Sequence, residues 1–300
     1  MKKKTYLFAL MAMALTLGSC SDNENGIGGE TSKYITVSTS IGNMTRVATD
    51  ANGGQTFEEG DEISVYAWTG APTVAPETSE RVVNNAINKL TNGSWVATPQ
   101  MLWKNNRDKH YFIGVYPVSA ISDLSAGEYT FDETKQVESD LLVAVNKDGL
   151  SYNIDEQQTV PLPFTHVMAK LVVNLAYKNQ WGGIPTVEKV VVGNAAKEAT
   201  INYLTKVVTP SATAKEDFSL PEITENTKYV SVIIPQEDVT QLTIVIGGKN
   251  FVYDNGTPFK LESGKITTVN LEVGRDEIKL GDVKITNWED GSTFSGEAIN

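Results

Sequence analysis

The 300-residue chain has one cysteine and two histidines. With Cys20 alone, no intramolecular disulfide can form, so the folded part must be held by its core. No His-Cys or Cys-Cys spacing exists from which a structural metal site could be built. His110 and His166 each precede a strand-like run and read as structural. No serine is flanked by a nucleophile-elbow pattern, and no glycine pair opens a helix that could cradle phosphate. Beyond the first 20 residues, no apolar run reaches the roughly 20 residues needed to span a bilayer. Positive charge is scarce: 25 Lys and Arg stand against 37 Asp and Glu, for a net charge of -12. That balance argues against nucleic acid and against electrostatic docking on anionic lipid. The densest acids, Glu58, Glu59, Asp61 and Glu62 around Gly60, read as a solvated turn. Asp50-Ala51-Asn52-Gly53 opens like a calcium loop but lacks the later ligands and the closing glutamate. The residues therefore point to no enzyme, no catalytic group, no metal and no cofactor.

What is present starts at the N-terminus. Lys2, Lys3 and Lys4 form a basic segment, Tyr6 to Leu15 is almost purely apolar, and Leu17-Gly18-Ser19-Cys20 follows. This is a signal peptide with small residues before a cysteine, the pattern a bacterial lipoprotein peptidase accepts. Residues 1–19 are expected to be removed and Cys20 to carry the lipid, which holds the protein on a membrane without crossing it. Loss of the three lysines takes the charge from -12 to -15. Residues 20–32 are polar and glycine-rich, a flexible tether. The acids just after Cys20 resemble a surface-export signal of certain Gram-negative anaerobes.

From Lys33 onward the period is two. Tyr34–Ile41 places Ile35, Val37 and Ile41 on one face. Asp61–Trp68 alternates likewise, with Ile63, Val65 and Ala67. Tyr111–Tyr116 is apolar on both faces and predicts a central strand. Further strands are expected at Leu141–Val145, Met168–Tyr177, Val187–Val192, Tyr229–Ile234, Leu242–Ile246, Asn250–Tyr253 and Ile266–Val273, between turn clusters. Only Ser79–Leu90 has helical spacing, through Val82, Val83, Ala86, Ile87 and Leu90, and predicts a short helix or irregular connection. Many short strands predict an all-β chain, in two β-sandwiches: residues 33–160 and 161–300, joined without a flexible linker at Pro161-Leu162-Pro163-Phe164. Five tryptophans, Trp68, Trp95, Trp103, Trp181 and Trp288, serve either as packing or as stacking surfaces for sugars.

Thr45-Arg46, Phe57, Gly60-Asp61, Ile63 and Val65 resemble the N-terminal signature of the fimbrillins, the lipoprotein pilins of Gram-negative anaerobes. Trp103 with Tyr111-Phe112-Ile113-Gly114-Val115-Tyr116-Pro117, Asp140–Ala144, Val160–Leu171 and Trp288-Glu289-Asp290-Gly291 are similar to later blocks of that family. The resemblance implies two tandem transthyretin-like or Ig-like β-sandwiches and assembly by strand exchange. A trypsin-like processing protease would cut between Arg46 and Val47, releasing the lipidated first strand, 33–41. A neighbour's C-terminal segment, within 278–300, would then fill the vacated groove, with Val283, Ile285 and Trp288 as candidate donor side chains. The implied partners are other fimbrial subunits, the processing protease and a host glycan or protein. The implied location is the outer membrane surface for the lipid-anchored precursor and the fimbrium after processing. The alternative is a monomeric surface lipoprotein that binds glycan or a host ligand through clustered exposed aromatics.

Overall fold

The computed structural model describes residues 33–42, 56–136, 138–152, 159–254 and 256–288. Within them the chain is all-β, with short 3-10 turns at Thr78–Glu80 and Asn179–Trp181. The N-terminal strands β1 (Thr36–Ile41), β2 (Glu62–Thr69), β3 (Val83–Thr91), β4 (Ser94–Thr98), β5 (His110–Tyr116), β7 (Leu142–Leu150) and β8 (Thr159–His166) form a seven-stranded sheet, ordered β1-β8-β7-β5-β2-β3-β4. Of this half, β6 (Gly127–Thr130) leaves the sheet to pair with β11 (Glu198–Asn202), whose other neighbour is β12 (Val207–Pro210). A five-stranded sheet runs β14 (Glu222–Thr224), β15 (Lys228–Ile233), β9 (Ala169–Tyr177), β18 (Lys265–Val273), β19 (Ile278–Asn287). A four-stranded sheet runs β13 (Lys215–Ser219), β10 (Val187–Ala196), β16 (Gln241–Ile246), β17 (Lys249–Asp254).

Alternation along β2 predicts one buried face. Instead both are buried, because the seven-stranded sheet has a core on each side. Ile63, Val65 and Ala67 meet Ile35, Phe112, Leu162 and Phe164. Tyr66 and Trp68 join a larger core that also holds Leu171, Val190 and Ile244 from the C-terminal half. Together with the β6–β11 pairing, this shared core makes the contact between the halves extensive.

The short helix or irregular connection expected at Ser79–Leu90 is instead a single 3-10 turn followed by the strand β3. The helical spacing comes from a bulge. Pairing with β2 slips between Val65 and Ala67, and Asn85 adopts φ 55°. The extra residue sets the buried Val83 and Ala86 three apart instead of two.

The Pro161–Phe164 passage, read as the junction between domains, lies inside β8. The strand runs across residues 160 and 161 and stays in the seven-stranded sheet to His166. Pro161 and Pro163 share one parity and are exposed, while Val160, Leu162 and Phe164 are buried. Both missing N–H groups therefore belong to one edge, and the ladder on the other edge keeps its donors.

Close packing at this strand leaves no room beneath it. A Cβ on Gly114 of β5 would stand 2.6 Å from Phe164 Cζ and 3.2 Å from Leu162 Cδ1. The Phe164 ring cannot retreat, because Phe57 packs edge-on against it at 5.1 Å. We expect Gly114→Ala to cost about 1–3 kcal/mol through overpacking, read as a lowered unfolding midpoint at unchanged m-value.

Candidate functional site

The strand at the start of the described chain occupies a slot with two walls. One wall is β8, which pairs with β1 in parallel from Thr36↔Thr159 to Ile41↔Phe164. The Gly42 N–H extends this wall by donating to the Phe164 carbonyl at 2.9 Å. The other wall is the stretch after β4. Tyr34 bridges to Leu102, the Ile35 N–H donates to the Met101 carbonyl at 3.0 Å, and the Trp103 N–H donates to the Lys33 carbonyl at 3.3 Å. Further along, Trp95 Nε1 donates to Thr39 Oγ1 at 3.0 Å. The first strand thus joins the two ends of the seven-stranded sheet.

Its hold combines main-chain pairing with two buried side chains. Ile35 and Val37 are its buried apolar side chains, and both point into the core around Phe112, Leu162 and Phe164. Burial of such a side chain is worth about 1.5–3 kcal/mol. Parallel pairing is slightly weaker per residue than antiparallel. A strand held this way costs little to extract compared with β2 or β5, which are buried on both faces. Extraction would uncover the β8 edge and apolar floor together, a surface that favours another strand.

At the far end of β1 a cleft of about 770 Å³ opens between Ile41, Thr56 and the β14–β15 hairpin. Its apolar wall includes Phe57, Leu142, Ile223 and Val230, and its charged groups are Glu58, Asp61, Asp140 and Lys170. The Phe57 ring meets the edges or faces of Trp95, Tyr116 and Phe164 at 5.1–5.4 Å. Burial pulls the Lys170 ammonium below the usual lysine range, opposed by the Asp140 carboxylate.

Among the residues expected to act in processing, Cys20, Arg46 and Val47 lie outside the described residues, as do 289–300 and Asp50-Ala51-Asn52-Gly53. The C-terminal candidates are split between two settings. Val283 and Ile285 sit on β19, opposite Val269 and Thr267 of β18. They share the core-facing side of the sheet, yet are 40% and 38% exposed because β19 is its edge. Trp288, just past the strand, is buried: its ring stacks on His166 at 4.1 Å and 6°, and Lys170 Nζ stands 4.3 Å from its centroid. His166 Nδ1 lies 2.8 Å from Asp140 Oδ1. Nothing in the spacing of Asp140, His166, Lys170 and Trp288 announces this assembly.

The remaining polar candidates are occupied structurally. His110 is fully buried; its Nε2 accepts from the Lys104 N–H at 3.1 Å, which leaves Nδ1 to donate to the Asp108 carbonyl at 3.1 Å. Burial lowers its pKa. In the acidic turn, Asp61 accepts from the Glu58 N–H, Glu59 from the Asn92 N–H, and Glu62 pairs with Lys89. Trp68, Trp103 and Trp288 are buried, and Trp95 and Trp181 are half-buried.

This architecture is that of a known family. The model of the fimbrillin-like family matches residues 45–288, and the chain belongs to that family. Its members are fimbrial structural subunits of the cell surface, with a non-enzymatic role. No curated protein matches the chain. Among solved structures, a candidate cell adhesion protein from Bacteroides uniformis superposes with a TM-score of 0.64 at 18% identity, covering 87% of this chain and 98% of its own. A second candidate cell adhesion protein, from Bacteroides ovatus, gives 0.63 at 17% identity, with 85% and 98% covered. A fimbrial protein from Bacteroides vulgatus gives 0.52 at 13%, with 84% and 99% covered. At these identities the likeness is one of fold.

Proposed function

We propose that the protein is a fimbrial subunit exported as a lipoprotein and assembled by protease-triggered strand exchange. The observation that carries this reading is the seating of β1: a strand held by main-chain bonds on two sides, with two deeply buried side chains, directly preceding the segment that contains Arg46. The lipid at Cys20 tethers the precursor to the outer membrane. A trypsin-like cut between Arg46 and Val47 frees the lipid and β1 together from the rest of the chain. The uncovered groove then takes a strand from the C-terminal segment, 278–300, of another subunit by β-augmentation. Val283 and Ile285 have the two-residue spacing of Ile35 and Val37, and their exposed edge position makes them available. Insertion of one chain's end into another chain's groove is heterologous and does not close, so it propagates a filament. In this reading the half that carries the seven-stranded sheet, β8 included, accepts a strand and the rest of the chain donates one. Tethered glycan binding is favoured less, since none of the five tryptophans is exposed.

The test is limited digestion of the purified precursor with a trypsin-like protease. Ordered polymers are expected by electron microscopy, with Val47 as the new N-terminus, and none from Arg46→Ala. Polymers that persist in Arg46→Ala, or a wild-type chain cut at Val47 that never polymerises, would overturn the mechanism.

A further inference from the structure

The burial of Trp288 separates it from Val283 and Ile285. Those two side chains lie along an exposed edge strand. Trp288 instead lies across the start of the C-terminal half, against His166 at the end of β8 and Lys170 at the start of β9. Asp140, 2.8 Å from His166 Nδ1, braces the imidazole from the connection before β7. The Trp288 N–H donates to the Gly264 carbonyl at 3.0 Å, so backbone and ring are both fixed. By contrast, β19 itself is weakly held. Among the described residues it pairs with β18 alone, most of its residues are exposed, and a register slip interrupts the ladder opposite Asn270 and Leu271. A large aromatic ring between a stacked imidazole and an ammonium contributes more than any other side chain of this segment.

We propose that Trp288 is a latch: it holds the last strand on its own subunit and does not enter a partner's groove as a donor side chain. The ring's stacking partner and its cation come from β8 and β9, and the ring also joins the larger hydrophobic core. His166 is two residues beyond Phe164, on the same face of β8, and Phe164 is the residue whose carbonyl and ring bound the seat of β1. The removable first strand and the latched last strand are therefore fastened to one element. This role of the latch in assembly rests on the strand-exchange reading above; the latch itself does not.

The two roles for Trp288 predict opposite signs. In the uncut precursor, Trp288→Ala should speed amide hydrogen exchange across 278–287 at least about tenfold (roughly 1.4 kcal/mol per decade), with 36–41 and the β2 and β5 amides unchanged. Lys170→Met, which keeps the stem and removes the charge, should give a smaller increase in the same window, and Trp288→Phe should restore part of the protection. After protease treatment, Trp288→Ala should polymerise several-fold faster than wild type. Unchanged exchange in 278–287, or exchange that rises equally in 36–41, would overturn the latch. Slower polymerisation with a normally processed chain would return Trp288 to the donor role. If no variant polymerises, strand exchange falls, while the exchange result on the uncut chain still decides the latch.

Discussion

Replacing Ile35 with aspartate will lift the first strand out of the seven-stranded sheet without any protease. Ile35 is 1% exposed and faces the core beside Phe112 and Leu162. An unpaired carboxylate there costs several kcal/mol. Ile35 and Val37 together contribute about 3–6 kcal/mol of burial, taking 1.5–3 for each, and the substitution removes half of that as well. The penalty then exceeds what Val37 and a parallel ladder can supply, and undocking one terminal strand relieves it without unfolding β2 or β5. At neutral pH, exchange at the Val160, Leu162 and Phe164 amides should rise toward that of an open edge, while the C-terminal sheets keep their protection. A synthetic peptide of residues 33–42 with the native sequence should restore protection. Ser40→Asp, at an exposed position of the same strand, should leave exchange unchanged. A β8 edge that stays protected in Ile35→Asp would mean that the strand is held by something other than its two buried side chains.

The period-two reading locates β1, β2, β9 and half of the strands after β9, namely β10 and β15 to β18, because alternation follows from the pleat itself. Three features escape it, each for a physical reason. The bulge at Asn85 changes the spacing of buried residues in β3 from two to three, which mimics a helix. The prolines of β8 look like a chain break, yet their common parity lets the strand continue. Tyr66 and Trp68 look solvent-facing because alternation within one strand carries no information about a second core behind the sheet. For the site, Ile35 and Val37 are legible as a buried row, but their parallel partner is not, since 123 residues separate Thr36 from Thr159. Proximity in sequence groups Trp288 with Val283 and Ile285. Its burial depends on His166 and Lys170, more than 100 residues upstream, and only the folded chain brings them together.

Phe164→Ala should cost about 3–5 kcal/mol, the usual range for truncating a fully buried phenylalanine. The ring is 0% exposed, takes the edge of Phe57 at 5.1 Å and fills the space that Gly114 leaves open. Its loss leaves a cavity between β5 and β8, under the same carbonyl that accepts from Gly42 at the end of β1. Denaturant unfolding should show a lowered midpoint, and exchange should rise at β1 before the rest of the sheet. Gly114→Ala tests the cause. Alone, its methyl collides with the ring; combined with Phe164→Ala, it has the vacated space. The double variant should therefore be more stable than the sum of the two single losses predicts, by about 0.5–3 kcal/mol, the range for residues in contact. Strict additivity would show that Gly114 is not there to admit the Phe164 ring, and that the seat of the first strand relies on some other feature of β5.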